Sequence, residues 1–159
     1  MMKSFKFLLS LIAVVALLTY TGCGKNPGPG QSPQDAQLVK LSKTWKATAV
    51  TLNGTAQPTY TSKPFTLVIS STAGQTTFGF NTGSQADRSA VAPILPWQSS
   101  GNLSYGTDFS TQLTRVEDSL PITYSVTDTQ LQMTFNYTGN GIPARVGSVA
   151  GTWVFTFGL

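Results

Sequence analysis

Leu120-Pro121-Ile122-Thr123-Tyr124-Ser125-Val126-Thr127-Asp128-Thr129-Gln130-Leu131-Gln132-Met133-Thr134-Phe135-Asn136-Tyr137 decides the fold class. Apolar side chains take every second position on both sides of Asp128-Thr129, with Pro, Thr, Ser, Gln and Asn between them. Successive side chains on a strand point to opposite faces, so the stretch reads as two half-buried strands joined by a tight turn. Outward from it the same alternation recurs at Phe65, Leu67 and Ile69, at Phe78 and Phe80, at Leu103 and Tyr105, and at Trp153, Phe155 and Phe157. The pattern predicts about eight strands, at 45–53, 65–71, 76–81, 101–106, 111–117, 121–127, 130–138 and 149–158. Asn53-Gly54 marks another tight turn and Asn140-Gly141 a longer one, while Pro121 can enter a strand only at its beginning. One stretch, 34–43, has helical spacing, with Leu38 and Leu41 on one face. The expected fold is all-β: an antiparallel up-and-down barrel of about eight strands, with a β-sandwich as the alternative, since strand number and spacing suit both.

Composition narrows the chemistry. The 159 residues are 40% hydrophobic and only 10% charged, with no histidine and a single cysteine. A core can form, but the usual neutral-pH acid/base, the commonest metal ligand and an internal disulfide are all missing. The carboxylates are Asp35, Asp87, Asp108, Glu117, Asp118 and Asp128, and the adjacent pair Glu117-Asp118 would face opposite ways on a strand. No Asp-x-Asp-x-Asp run offers calcium ligands, and no glycine cluster follows a strand and opens a helix to cradle a phosphate. We therefore expect no enzyme, no bound metal and no cofactor.

The first 23 residues read as an address. Lys3 and Lys6 precede an apolar run from Phe7 to Leu18, and Thr19-Tyr20-Thr21-Gly22 lead to Cys23. The run is shorter than the roughly 20 apolar residues of a membrane span and has the layout of a secretory signal. Small residues before the lone cysteine resemble the bacterial lipobox, with Tyr20 where Leu is usual. The resemblance implies a lipoprotein signal peptide at 1–22 and a Cys23 bearing acyl chains of the palmitate kind, which would hold the product on a membrane. Residues 23–36 are rich in Gly and Pro and lack apolar periodicity, as a flexible tether would be, and 37–159 make up the barrel domain. Two of the ten basic residues lie in the signal, so residues 23–159 carry a formal +2. Without a basic cluster or a recognisable motif, no nucleic-acid partner is expected.

Three stretches carry a family likeness: Leu41-Ser42-Lys43-Thr44-Trp45-Lys46, Pro96-Trp97-Gln98-Ser99-Ser100-Gly101 and Gly151-Thr152-Trp153-Val154-Phe155-Thr156-Phe157. Together they resemble small lipocalin-like lipoproteins of Bacteroidota, with Lys43 where the lipocalin Gly-x-Trp signature has glycine. The likeness implies a small barrel with an apolar interior, and the absence of an acidic residue just after Cys23 resembles lipoproteins sent to an outer membrane, so an address at the cell envelope, in the outer membrane of a Gram-negative bacterium, is expected. A small apolar or amphipathic ligand would then meet Phe78, Phe80, Trp97, Tyr105, Tyr124, Phe135 and Trp153, residues that plain core packing would equally claim. Trp97 stands apart, because it lies on the long Pro-rich connection 82–100. There it would act either as a lid or sugar-stacking platform, or as an anchor plugging one barrel end. The alternative function is a structural or protein-interaction module of the envelope. Asp118-Ser119-Leu120 resembles the short O-glycosylation sequon of exported Bacteroidota proteins, which would modify Ser119.

Overall fold

The computed structural model describes residues 30–84, 87–88, 95–139 and 149–159. The signal segment, Cys23, most of the tether, the Asn140-Gly141 turn and parts of the 82–100 connection lie outside them.

Helix α1, Pro33–Leu41, begins where its local chemistry dictates. The Ser32 hydroxyl accepts from the Asp35 amide at 3.1 Å, and the Asp35 carboxylate accepts from the Ser32 amide at 3.3 Å, a reciprocal cap with Pro33 in the first turn. Leu38 and Leu41 are the buried face.

The strands follow as β1 (Thr44–Leu52), β2 (Thr55–Ala56), β3 (Thr66–Ser70), β4 (Thr77–Asn81), β5 (Ser100–Tyr105), β6 (Gln112–Arg115), β7 (Leu120–Val126), β8 (Gln130–Tyr137) and β9 (Gly151–Gly158). Each pairs antiparallel with its neighbour in the order β2-β1-β3-β4-β5-β6-β7-β8-β9, and β1 also pairs with β9. With β2 only a hairpin extension of β1, the other eight strands close into the expected barrel, and among the described residues no long strand edge is left to recruit another chain. Each expected strand is present to within about two residues. The extended alternation could not reveal β2 or the short helix α2 (Thr59–Ser62), which occupy the link between the first two long strands.

Strand β1 departs from simple alternation. Trp45 and Ala47 face inward, but a bulge between Ala47 and Ala49 inserts one residue, and from Val50 the even positions face the core. One extra residue in a strand of period two exchanges its faces, and the added bend lets β1 pair with β3 at its start and with β9 along the rest.

The hairpin topology gives the barrel two unlike ends. Helix α1 closes one, together with the turns 71–76, 106–111 and 127–129. Asp35 Oδ1 accepts from the Gly74 amide at 2.6 Å, and Gln37 Nε2 donates to the Ser110 carbonyl at 3.3 Å. The other end carries the link 53–65, the connection after β4, the hairpin tip 116–119 and the connection from β8 to β9. The β1–β9 ladder that closes the barrel ends there beside Asn53, which with Gly54 forms a tight turn of positive φ (49° and 78°). Its side chain accepts from the Thr152 amide at 2.8 Å and its own amide donates to the Thr152 carbonyl at 2.8 Å. Gly151 sits beside it with φ 140°, and a Cβ there would lie 2.6 Å from the Asn53 side-chain amide. Gly151→Ala is therefore expected to destabilise the fold by about 1–3 kcal/mol, read as a lowered midpoint in urea with an unchanged slope.

Candidate ligand site at the loop-bearing end

The interior is aromatic, and the structure divides the seven sequence-predicted ligand residues between the two ends. Phe78, Tyr105 and Tyr124 lie at the α1 end. Phe78 and Tyr105 meet edge to face at 5.4 Å, the Tyr105 hydroxyl donates to the Gln34 carbonyl at 3.1 Å, and the Tyr124 hydroxyl donates to the Phe109 carbonyl while accepting from Gln37 Nε2 at 3.2 Å. Burial raises the Tyr124 phenol to about 12. These contacts tie α1 to the barrel floor.

Phe80, Trp97, Phe135 and Trp153 lie at the other end. Trp97 is the hub: 0% exposed, with Phe80 and Phe135 each at 5.5 Å, Phe155 at 6.1 Å and Phe65 at 6.4 Å between ring centroids. Phe155 carries the contacts onward to Trp153 and Tyr60 at 5.6 and 5.5 Å. Trp97 belongs to no strand; it comes in from the connection between β4 and β5. Of the two roles open to it, the geometry is that of an anchor plugging the barrel.

Two arginines hold this plug. Arg115 on β6 is 0% exposed at the side chain, yet its guanidinium is well partnered. Nη1 donates to the Pro96 carbonyl at 2.7 Å, while Nε and Nη2 donate to Asp118 Oδ1 and Oδ2 at 2.9 and 2.5 Å in a bidentate fork. The same cation lies over the Trp97 ring at 5.4 Å and the Tyr137 ring at 5.7 Å. Arg88 donates through Nη2 to the Trp97 carbonyl. Its burial lowers the guanidinium pKa and, at Tyr60, burial raises the phenol although the Arg88 charge pulls it down.

Sequence reasoning missed Arg115, Arg88 and Tyr60. Arg115 left one signal: it shares the inward face of β6 with Leu113, where period two predicts an apolar residue. A charge at such a position is either a buried partner or a misplaced strand.

Burial raises the Asp118 carboxyl, but hydrogen bonds and charge from Arg115 outweigh it and hold the group below its ordinary 3.8. A depressed folded pKa means a contribution fully present above the unfolded value and lost as pH falls through the folded one. Asp118→Asn should therefore be less stable than the parent at neutral pH, with the gap closing as pH falls below the ordinary carboxylate range and through the lowered folded-state pKa. Urea midpoints at neutral and acid pH measure this.

Among the described residues no three His, Cys, Asp or Glu side chains gather to hold a metal ion, and no helix is long and apolar enough to cross a membrane. Asp35, Asp87, Asp108 and Asp128 lie on α1, the long connection and the turns of the fold, and Glu117 binds the Asn102 amide at 2.6 Å. Nothing matches the chain among protein-family models, curated proteins or solved structures.

Proposed function

We propose that this protein is a lipid-anchored, lipocalin-like barrel that binds a small apolar or amphipathic molecule at the cell envelope. One observation carries the reading: the centre of the aromatic core is occupied by Trp97, a side chain delivered by a connection and not by a strand. Such a plug can leave without breaking the ladder that closes the barrel, exposing Phe80, Phe135 and Phe155 to a guest of similar character. Acylation of Cys23 supplies the anchor and an outer-membrane address, and because α1 closes one end, the chain enters the barrel there. No catalytic residue takes part in this reading.

Titration of the purified protein with a lipophilic fluorescent probe tests it. Saturable uptake, with a change in indole emission, is expected; no uptake of any lipid-like compound overturns it. The second reading, an envelope interaction module with no small ligand, draws on the complete burial of Trp97. It predicts no uptake, together with a defined protein captured from native membranes. Mass spectrometry of protein from its native host tests the anchor and the proposed glycan in one experiment. A diacylglyceryl mass on Cys23 is expected, and a glycan mass on the peptide holding Ser119, which is exposed at the β6–β7 tip with φ 53°.

A further inference from the structure

Asn-Gly is the dipeptide in which an asparagine side-chain amide is most easily lost, because glycine has no side chain to hinder the approach of its backbone nitrogen. That nitrogen gives up its proton and bonds to the asparagine amide carbon, and ammonia leaves carrying the proton. Water then opens the succinimide ring at either carbonyl, which yields aspartate or isoaspartate. Asn53-Gly54 is such a pair, exposed just beyond the end of β1.

The fold keeps it from reacting in two ways. Asn53 has φ 49°, in the left-handed region, where ψ is about +30 to +60°. That rotation sets the Gly54 nitrogen nearly opposite the Asn53 Cβ across the Cα–C bond, whereas ring closure needs the two nearly eclipsed. The side chain is also tied down. Its Oδ1 accepts from the Thr152 amide at 2.8 Å, and the Asn53 amide donates to the Thr152 carbonyl at 2.8 Å. Both restraints end together when the β1–β9 ladder frays past its last pair, Leu52 with Trp153. Strand β9 need not move, since Thr152 stays opposite Asn136 on β8. Such a local opening at an exposed ladder end needs less free energy than global unfolding.

We infer that Asn53 is a deamidation site gated by this end of the β1–β9 ladder: protected while the two strands are joined and converted one way when they part. The two products differ in consequence. Aspartate keeps an oxygen acceptor for the Thr152 amide and tolerates the left-handed backbone. Isoaspartate carries the main chain through the former side chain and adds a backbone carbon to the turn, so the two bonds to Thr152 cannot re-form in register. A transient fraying then becomes a permanent one.

Folded protein, and protein unfolded in guanidinium chloride, are held in the same mildly alkaline buffer while tandem mass spectrometry follows conversion at Asn53. Cleavage after Lys46 and Arg115 puts the other such pair, Asn140-Gly141, on a different peptide. Conversion is expected to be at least about ten-fold slower in the folded protein, and the slowing should match the protection of the Thr152 amide against hydrogen exchange to within about three-fold. Gly151→Ala, whose added carbon meets the Asn53 side chain, should speed conversion in the folded protein and leave the unfolded rate unchanged. The isoaspartate fraction, separated chromatographically, should have a lower urea midpoint than Asn53→Asp. Equal rates in folded and unfolded protein overturn the gating, as does slow conversion beside a Thr152 amide that exchanges as freely as in the unfolded chain. An isoaspartate fraction as stable as Asn53→Asp overturns the permanent opening. Should Gly151→Ala not fold, the two rates and the exchange of the parent protein decide alone.

Discussion

Trp97→Ala is expected to lower stability by about 3–4 kcal/mol, in the lower part of the range for removing a large aromatic side chain from a packed core. The ring touches Phe65, Phe80, Phe135 and Phe155, residues of or beside four different strands, and none of these can move inward while the ladder stays closed. The space is therefore expected to persist as a cavity. The loss stays below the top of the range because the substitution also removes the unpaired indole N–H. Two measurements check the expectation: the urea midpoint falls, and uptake of a lipophilic probe rises because the plug is gone. A fall in stability with no gain in uptake would show that the core collapses into the space, and the plug would then be an ordinary structural residue.

The second large effect is an asymmetry within one ion pair. Arg115 is 0% exposed at the side chain and Asp118 34%. Removing the aspartate strands a fully buried cation, and loss of one partner of a buried pair costs about 3–5 kcal/mol. Removing the arginine leaves a carboxylate that reaches water and a Pro96 carbonyl without its donor, worth about 1–3 kcal/mol. Asp118→Ala should thus be more damaging than Arg115→Met, although Asp118 is the more exposed residue. Added salt should restore little in either variant, because the guanidinium is out of solvent. Equal effects would mean that the Pro96 carbonyl and the two rings over Arg115 suffice to compensate its charge.

The division between what the chain announces and what it conceals follows from the range of the forces involved. Alternation along Leu120–Val126 and Gln130–Tyr137 is a local property, fixed by which side of a pleat meets water, and the strands appear where it places them. The Asn53-Gly54 and Asp128-Thr129 turns and the helical stretch around Leu38 and Leu41 are local in the same sense. Closure is not local. Barrel and sandwich differ in whether β1 meets β9, and that pairing joins residues about a hundred positions apart. The bulge at Thr48 was equally illegible, since Trp45, Ala47 and Ala49 satisfy period two on paper and only the need to pair with two neighbours shifts the face. Of the seven candidate ligand residues, all proved inward-facing, but their division between the two ends depends on strand direction around the barrel. The role of Trp97 depended on its arginine partners, which sequence proximity does not connect: Arg115 reaches back nineteen positions to Pro96.

The charged side chains follow the same geometry. Asp35, Lys40, Lys43, Asp108 and Asp128 belong to the α1 end, and Lys63, Arg88, Glu117 and Asp118 to the other. Between them, the outward positions of β4 to β9 carry hydroxyls, amides and small or apolar groups among the described residues. An eight-residue strand such as β8, tilted in its barrel, separates the two rims by roughly 20 Å, more than twice the Debye length of about 8 Å at physiological salt. Among the described residues the charges of each rim are therefore largely screened from the other. A charged surface approaching one pole responds mainly to that pole's charges, and mutating a charge at one pole should change association rates at the opposite pole little.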